Sequence, residues 1–266
     1  MINFYKYHGA GNDFIMIDNL KGDINFTPEY IKFLCDRHLG IGADGVILLQ
    51  SSNKADCFMN YYNSDGTEAQ MCGNGARCTA KFFVSQTNYN LKELNIDTRA
   101  GIKNIKINED DTYSVNMGTP VFIHSDFPSE CINLEGFNFN CVSMGNPHAV
   151  TQVDSLDKID IRYIGPKIEN DSHFPNKINV EFIEKINDWN YKIKVWERGC
   201  GATLACGTGA CAVYAVLKNK YPIGLTYGVN EITLEFPGGN LHLSENPEEQ
   251  IILRGPAEFV FKGEIE

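Results

Sequence analysis

No run of apolar residues in this sequence approaches the roughly 18 that a membrane-spanning helix needs. Basic residues are also in short supply. There are 23 Lys and Arg against 34 Asp and Glu, for a formal net charge of -11, and no Lys/Arg run occurs. A nucleic-acid binder usually carries a basic patch or stripe, so that class is excluded as an expectation. The opening "MINFYKYHGAGNDF" lacks the charged-then-apolar layout of a secretory signal. The cysteines are not evenly paired: nine in 266 residues is an odd count, unlike a small disulfide framework. Close Cys-x2-Cys pairs, which zinc sites favour, are absent too. These absences point to a soluble, cytoplasmic protein with reduced thiols, and to no nucleic-acid or membrane partner.

The chain does contain one phrase written twice. "CGNGA" begins at Cys72 and "CGTGA" at Cys206, 134 residues apart. The same offset carries "GN" at Gly11 and Asn12 onto "GN" at Gly145 and Asn146. It sets Asn63 opposite Glu197 and "GVILL" opposite "NVEFI". Beyond the cysteine phrases it drifts by a few residues, since Gly101 answers to Gly239 and Gly118 to Gly255. A loop insertion near "NKYPIGLTYG" would give that drift. Several ordered matches under one offset imply two homologous halves, 1–122 and 132–262, with "HSDFPSECINLEG" around the crossover.

Local patterns place these phrases. "NFYKYHG", "FIMIDN", "GVILLQ", "CFMNYYN" and "LNIDTRAG" read as strands. "TPEYIKFLCDRH" reads as a helix with Thr27 as N-cap and Pro28 at the first helical position. Tyr30 stands where a capping box would need Glu or Gln. "GARCTAKFFVSQ" and "GACAVYAVLKNK" are apolar nearly all round, as buried helices are. Each half is therefore expected to be a sheet about one buried helix, with a Cys-Gly-x-Gly phrase at its amino end. Both helix starts are expected to face a cleft between the halves.

A helix amino end offers unpaired N–H groups and a positive dipole end, so it binds anions. Glycines let a ligand approach the backbone there. A cysteine at that place is expected to have a lowered pKa, below the usual value of about 8.5. Two such sites suit inversion of an amino-acid α-carbon. A thiolate takes the proton from one face and a thiol returns one to the other. The N–H groups stabilise the charge gathering on the α-carboxylate.

The phrases "GAGNDF", "RHLGIGADG", "YNSDGTEAQMCGNGARC", "GNPHAV", "INVEF" and "WERGCGATLACGTGACA" together resemble the diaminopimelate epimerase family over essentially the whole chain. That resemblance implies an α/β fold of two pseudo-symmetric halves, each a barrel-like, mainly antiparallel sheet around a central helix. It implies interconversion of LL- and meso-diaminopimelate on the route to lysine, without pyridoxal phosphate or metal, by a homodimer. It carries the acid/base pair onto Cys72 and Cys206, with Cys72 the donor and Cys206 the acceptor for one direction. Gly73, Asn74, Gly207 and Thr208 match the helix-start residues that hold the reacting carboxylate. Asn12, Asn63, Asn146, Asn179, Glu197 and Arg198 match the substrate pocket. His148 and Glu197 match residues that tune the two thiols. Arg198 suits a carboxylate and Glu197 an ammonium group. Two positions depart from the pattern: Gly45 stands for a frequent Gln and Ala202 for a frequent Glu.

Cys78 and Cys211 lie inside the apolar helices and read as core residues, as do Cys35, Cys57, Cys131 and Cys141. Cys200 reads likewise, with a redox liability from its nearness to the site. Two other functions fit parts of the sequence. One is a cofactor-free racemase of the same fold, such as a proline-racemase-like enzyme. The other is a zinc-binding or redox-switch module, against which Cys-x5-Cys and Cys-x4-Cys inside apolar helices are poor ligand spacings.

Overall fold

The computed structural model describes residues 1–87, 89–220 and 231–265. The chain forms two compact units, one of Met1–Asn116 with Arg254–Glu266 and the other of Met117–Leu253. No described helix is long and apolar enough to cross a membrane. Residues 221–228 of the expected insertion lie outside the described residues.

The first unit opens with a hairpin of β1 (Ile2–Gly9) and β2 (Asn12–Asn19). Its two-residue turn has Ala10 and Gly11 at φ 53° and 83°. Two left-handed residues match the turn to the twist of the strands, and they set Asn12 at the hairpin tip. Helix α1 (Pro28–Cys35) crosses over to β3 (Gly45–Gln50), which pairs parallel with β2. Strand β4 (Cys57–Asn63) returns antiparallel. Helix α2 (Gly73–Thr87) makes the second crossover, to β5 (Glu93–Asp97), parallel with β4. Strands β6 (Lys103–Ile107) and β7 (Tyr113–Gly118) follow antiparallel.

The second unit repeats this order. Strands β8 (Ile132–Leu134), β9 (Phe137–Ser143) and β10 (Pro147–Val153) run antiparallel. Helix α3 (Ile161–Glu169) leads to β11 (Asn179–Lys185), parallel with β10. Strand β12 (Asn190–Glu197) returns antiparallel and pairs with the short β13 (Gly201–Ala202). After α4 (Gly207–Lys220), β14 (Glu231–Phe236) lies parallel with β12, and β15 (Gly239–Glu245) follows antiparallel. Strand β16 (Ile251–Gly255) comes next. The last strand, β17 (Glu258–Ile265), belongs to the first unit, where it pairs with β1. A second half running unbroken to 262 is the sequence expectation. In the structure residues 254–262 sit with the first unit instead, because β17 finds its hydrogen bonds on β1.

The 134-residue offset carries strand register as well as sequence. Phe14 pairs with Gly45, and His148 with Asn179. Ile47 pairs with Tyr61, and Glu181 with Val195. The inner strands of the first unit are apolar on both faces, as parallel strands under crossover helices usually are. In the first unit Ile15, Ile17, Val46 and Leu48 pack with Ile31 and Leu34 of α1. The alternate residues of β2 and β3 turn towards α2, which packs against every strand from β1 to β6. Helix α4 packs on β9, β10, β11 and β15. In this unit Phe139, Val180, Phe182 and Ile168 share the outer core.

Thr27 caps α1 as expected, its Oγ1 accepting from Tyr30 N–H at 3.2 Å. The helix ends at Cys35, short of the "DRH" expected within it. Asp36 turns its carboxylate onto the N–H groups of His38 and Leu39 and so forms a turn instead. Cys35, Cys57, Cys78, Cys141 and Cys211 are buried, whereas Cys131 and Cys200 are exposed and not core residues.

Candidate active site

The two cysteine phrases form the same local structure. The Cys72 carbonyl accepts from Ala76 N–H at 2.8 Å, and the Cys206 carbonyl from Ala210 N–H at 2.9 Å. Each cysteine is therefore the N-cap of its helix. Each sulfur also accepts an N–H three residues on, Gly75 at 3.4 Å and Gly209 at 3.3 Å. A thiol thus does what a Ser or Asp oxygen does at an ordinary cap. The glycines serve packing as much as ligand approach. A Cβ on Gly209 would lie 2.7 Å from Glu181 Oε1 and 3.3 Å from Cys206 Sγ.

In the first unit Cys72 is half-buried, and its thiol donates to Asn12 Oδ1 at 3.5 Å. The same oxygen accepts from Asn74 Nδ2 at 3.2 Å. Asn12 Nδ2 donates to Asp44 Oδ2 at 2.7 Å. Behind Asn74 stands Arg77, fully buried, which donates to Asn74 Oδ1 at 2.9 Å and to the Pro256 carbonyl at 3.0 Å. Asp13 beside Asn12 is ion-paired with Lys6 at 2.6 Å and with Arg37 at 2.7 Å. Burial works against its charge, but hydrogen bonds from Arg37 and Lys6 win and hold its pKa at about 2. Gly73 and Asn74 are buried at the helix start. Asn63 ends β4 with its side chain on Thr67 Oγ1 at 3.1 Å, not on the cysteine cluster.

In the second unit Cys206 is buried, and its sulfur lies 3.6 Å from Thr208 Oγ1. Asn146 Nδ2 donates to that oxygen at 3.3 Å, and Asn146 Oδ1 faces His148 Nε2 at 3.1 Å. His148 Nδ1 in turn meets Glu181 Oε1 at 2.7 Å. Glu197 Oε1 accepts from Thr203 Oγ1 at 2.5 Å. Burial pushes the Glu197 carboxyl up, while hydrogen bonds from Thr203 and Cys206 work the other way. Asn179 is buried, with Nδ2 on the Pro147 carbonyl at 2.8 Å and Oδ1 accepting from Arg198 N–H at 2.9 Å. Arg198 Nη1 reaches the Asn176 carbonyl at 3.0 Å. Gly207 is buried at the start of α4.

One expectation is corrected here. A helix-end cysteine is expected to have a lowered pKa, yet the Cys206 thiol is raised well above the usual value. Burial is the largest cause, followed by the neighbouring Glu197 and Glu181; Thr208 and the Gly209 N–H only partly offset them. Desolvation outweighs the helix end when the sulfur is out of water.

Sequence reasoning missed Glu181, Arg77 and Asp44. The signal for Glu181 was present, since it is a charged residue inside the apolar run "NVEFI", opposite Ile47 in the repeat. Gly45 has no room for a longer side chain, because a Cβ there would lie 2.4 Å from the Tyr62 carbonyl oxygen. Ala202 is exposed in β13. Among the described residues no three His, Cys, Asp or Glu side chains are grouped to hold a metal.

The chain's fold is that of a PhzF-family phenazine biosynthesis protein from Bacillus anthracis, with a TM-score of 0.72 at 18% identity over 100% of this chain and 99% of the other. It is also that of a hydroxyproline epimerase from Agrobacterium vitis, with a TM-score of 0.71 at 14% identity over 99% and 90%. The diaminopimelate epimerase of Carboxydothermus hydrogenoformans is 44% identical over 276 aligned residues, covering 99% of both chains. The family model for diaminopimelate epimerase matches residues 4–123 and 140–260, two stretches that follow the repeat. The chain belongs to the diaminopimelate epimerase family and is an isomerase.

Proposed function

We propose that this chain epimerises diaminopimelate at an α-carbon with Cys72 and Cys206 as the paired base and acid. The observation that carries this reading is the matched capping of the two thiols, each at a helix start with an N–H on its sulfur. One thiolate takes the α-hydrogen as a proton, and the electron pair passes into the α-carboxylate. The other thiol gives its proton to the opposite face of the same carbon, and the charge returns to that sulfur's side. No net electron or proton is gained. The N–H groups at Gly73, Asn74, Gly207 and Thr208 stabilise the carboxylate as its charge grows. In one direction Cys72 is the proton donor and Cys206 the acceptor, and the Cys72 thiol already points its hydrogen at Asn12 Oδ1. The roles exchange after each turnover, as reversal demands.

Arg198 and Glu197 are assigned to the distal carboxylate and ammonium, with Asn12, Asn63, Asn146 and Asn179 completing the pocket. His148 tunes the thiol of its own unit. No cofactor is required in this scheme. The family's reaction belongs to lysine synthesis, which supports a cytoplasmic location. A homodimer is supported by Phe259, Val260 and Phe261, exposed in succession along β17.

The test is solvent deuterium incorporation into LL-diaminopimelate and, in parallel, into proline. The wild type is expected to exchange the α-hydrogen of diaminopimelate and to leave proline unchanged. Cys72→Ala and Cys206→Ala are expected to abolish epimerisation in folded protein. Turnover retained in either variant, or exchange into proline alone, would overturn the reading.

A further inference from the structure

The second unit holds a buried polar pair for which the first has no counterpart. Under the 134-residue offset Phe14 answers to His148 and Ile47 to Glu181, in identical strand register. The same two places hold hydrocarbon in one unit and an imidazole and a carboxyl in the other. All four side chains are fully buried. The first unit builds the same register from apolar residues, so the fold does not require the polar pair. Burying a carboxyl is costly unless it is well partnered. Glu181 is only half partnered, since Oε1 meets His148 and Oε2 has no hydrogen-bond partner.

Hydrogen-bond accounting gives the pair a direction. Asn146 Oδ1 is an acceptor, so His148 Nε2 carries a proton at their 3.1 Å contact. His148 Nδ1 and Glu181 Oε1, 2.7 Å apart, then share a second proton. Burial pushes the Glu181 carboxyl up, against the pull of His148. Asn146 thereby presents its NH2 to Thr208 Oγ1 at 3.3 Å. Thr208 accepts there, and its own hydroxyl hydrogen is left for Cys206 Sγ at 3.6 Å.

We propose that Glu181 is a positioning residue for Cys206: through His148, Asn146 and Thr208 it fixes the sense of a hydrogen-bond chain that ends with the Thr208 hydroxyl donating to the sulfur. The proposal deepens the two-thiol reading and rests on it for its catalytic meaning, but the chain itself is tested without turnover. Other groups face the same atoms. Glu197 from β12 and the Gly209 N–H from α4 face Cys206, and Cys141 from β9 faces Glu181. Two effects of Glu181 on the thiolate therefore have opposite signs. As a bare negative charge it would disfavour the thiolate. As the group that orients Thr208 it favours the thiolate.

The experiment follows modification of Cys206 by methyl methanethiosulfonate across pH, read by mass spectrometry on the intact enzyme. Glu181→Met is expected to move the Cys206 profile upward by about one pH unit, the worth of one hydrogen bond to a charged group. Glu181→Gln is expected to keep the wild-type profile, because its amide N–H can donate to Nδ1 and leave Nε2 protonated. Thr208→Val is expected to reproduce the Glu181→Met shift, and the double variant to add nothing to it. Methionine and glutamine variants that both shift the profile downward would overturn the proposal in favour of a bare charge. Additive shifts in the double variant would overturn it as well. Should Glu181→Met not fold, a downward shift in Glu181→Gln alone is enough to overturn it, and an unchanged profile beside a shifted Thr208→Val supports it. Deuterium exchange on the same proteins is read separately. A wild type that passes the thiol test but fails to epimerise would sink the two-thiol function and leave the chain standing.

Discussion

Ile47 and Glu181 occupy the same place in the two units, each against the glycine three residues after the capping cysteine. A Cβ on Gly75 would lie 3.1 Å from the Ile47 Cδ1 methyl, and one on Gly209 would lie 2.7 Å from Glu181 Oε1. Equivalent backbones thus support thiols with unlike surroundings, hydrocarbon under Cys72 and a buried carboxyl under Cys206.

That difference predicts unequal tolerance of the same substitution. Gly75→Ala meets the end of a flexible side chain that can turn aside, so its cost is expected to be below about 1 kcal/mol. Gly209→Ala meets a carboxyl pinned by His148, with the Cys206 sulfur 3.3 Å away. It is expected to cost about 1–3 kcal/mol. Urea midpoints with unchanged slopes measure both. Equal losses in the two variants would show that Glu181 is not held in place.

Arg77 predicts a larger effect from a position far from solvent. Its guanidinium ties α2 to the Pro256 carbonyl, just before β17, and holds Asn74 Oδ1. Arg77→Met removes the donors and leaves those buried acceptors unmet, a loss expected at about 2–4 kcal/mol. Hydrogen exchange along β17 and β1 is expected to rise more than exchange in the second unit. A uniform loss over the whole chain would contradict the local tether.

Much of this was legible beforehand. The cysteine phrases placed both central helices and "TPEYIKFLCDRH" the first crossover helix, because apolar period and turn chemistry are local signals. The caps were legible in the cysteine phrases themselves. Three things were not. The return of β17 to β1 is a long-range pairing with no local mark. Arg77 lies in a helix that reads as apolar, and its burial is explained by close acceptors, the Gly73 and Pro256 carbonyls and Asn74 Oδ1. The raised Cys206 thiol depends on how much water reaches the sulfur, which the helix-end rule does not contain.

Acid stability is expected to depend on Asp13. Its folded pKa of about 2 lies below the ordinary carboxylate value of 3.8. A depressed carboxylate contributes stability that is fully present above the unfolded pKa and is lost as pH falls through the folded one. The shift corresponds to on the order of 2 kcal/mol, lost between about pH 4 and pH 2. Asp13→Asn is expected to lose that amount at pH 7 and to flatten the stability profile in that window. Chemical denaturation at a series of pH values measures it. A variant with the wild-type slope between pH 4 and pH 2 would assign the acid sensitivity elsewhere.

Glu169 predicts a change in substrate affinity from outside the pocket. It is buried at the end of α3, and its carboxylate accepts from Trp196 Nε1 at 2.6 Å and from Gly199 N–H at 2.9 Å. Those contacts flank Glu197 and Arg198 on both sides. Trp196 is itself wedged on Gly165, where a Cβ would lie 2.5 Å from the indole. Glu169→Ala removes both acceptors and frees the turn that carries Arg198, while Cys206 and its cap are untouched. KM for diaminopimelate is expected to rise about ten-fold with kcat lowered less, the pattern of lost ground-state binding. Glu169→Gln keeps one acceptor oxygen and is expected to fall between the alanine variant and wild type. A fall in kcat at unchanged KM would place Glu169 in the proton-transfer step and not in holding the turn.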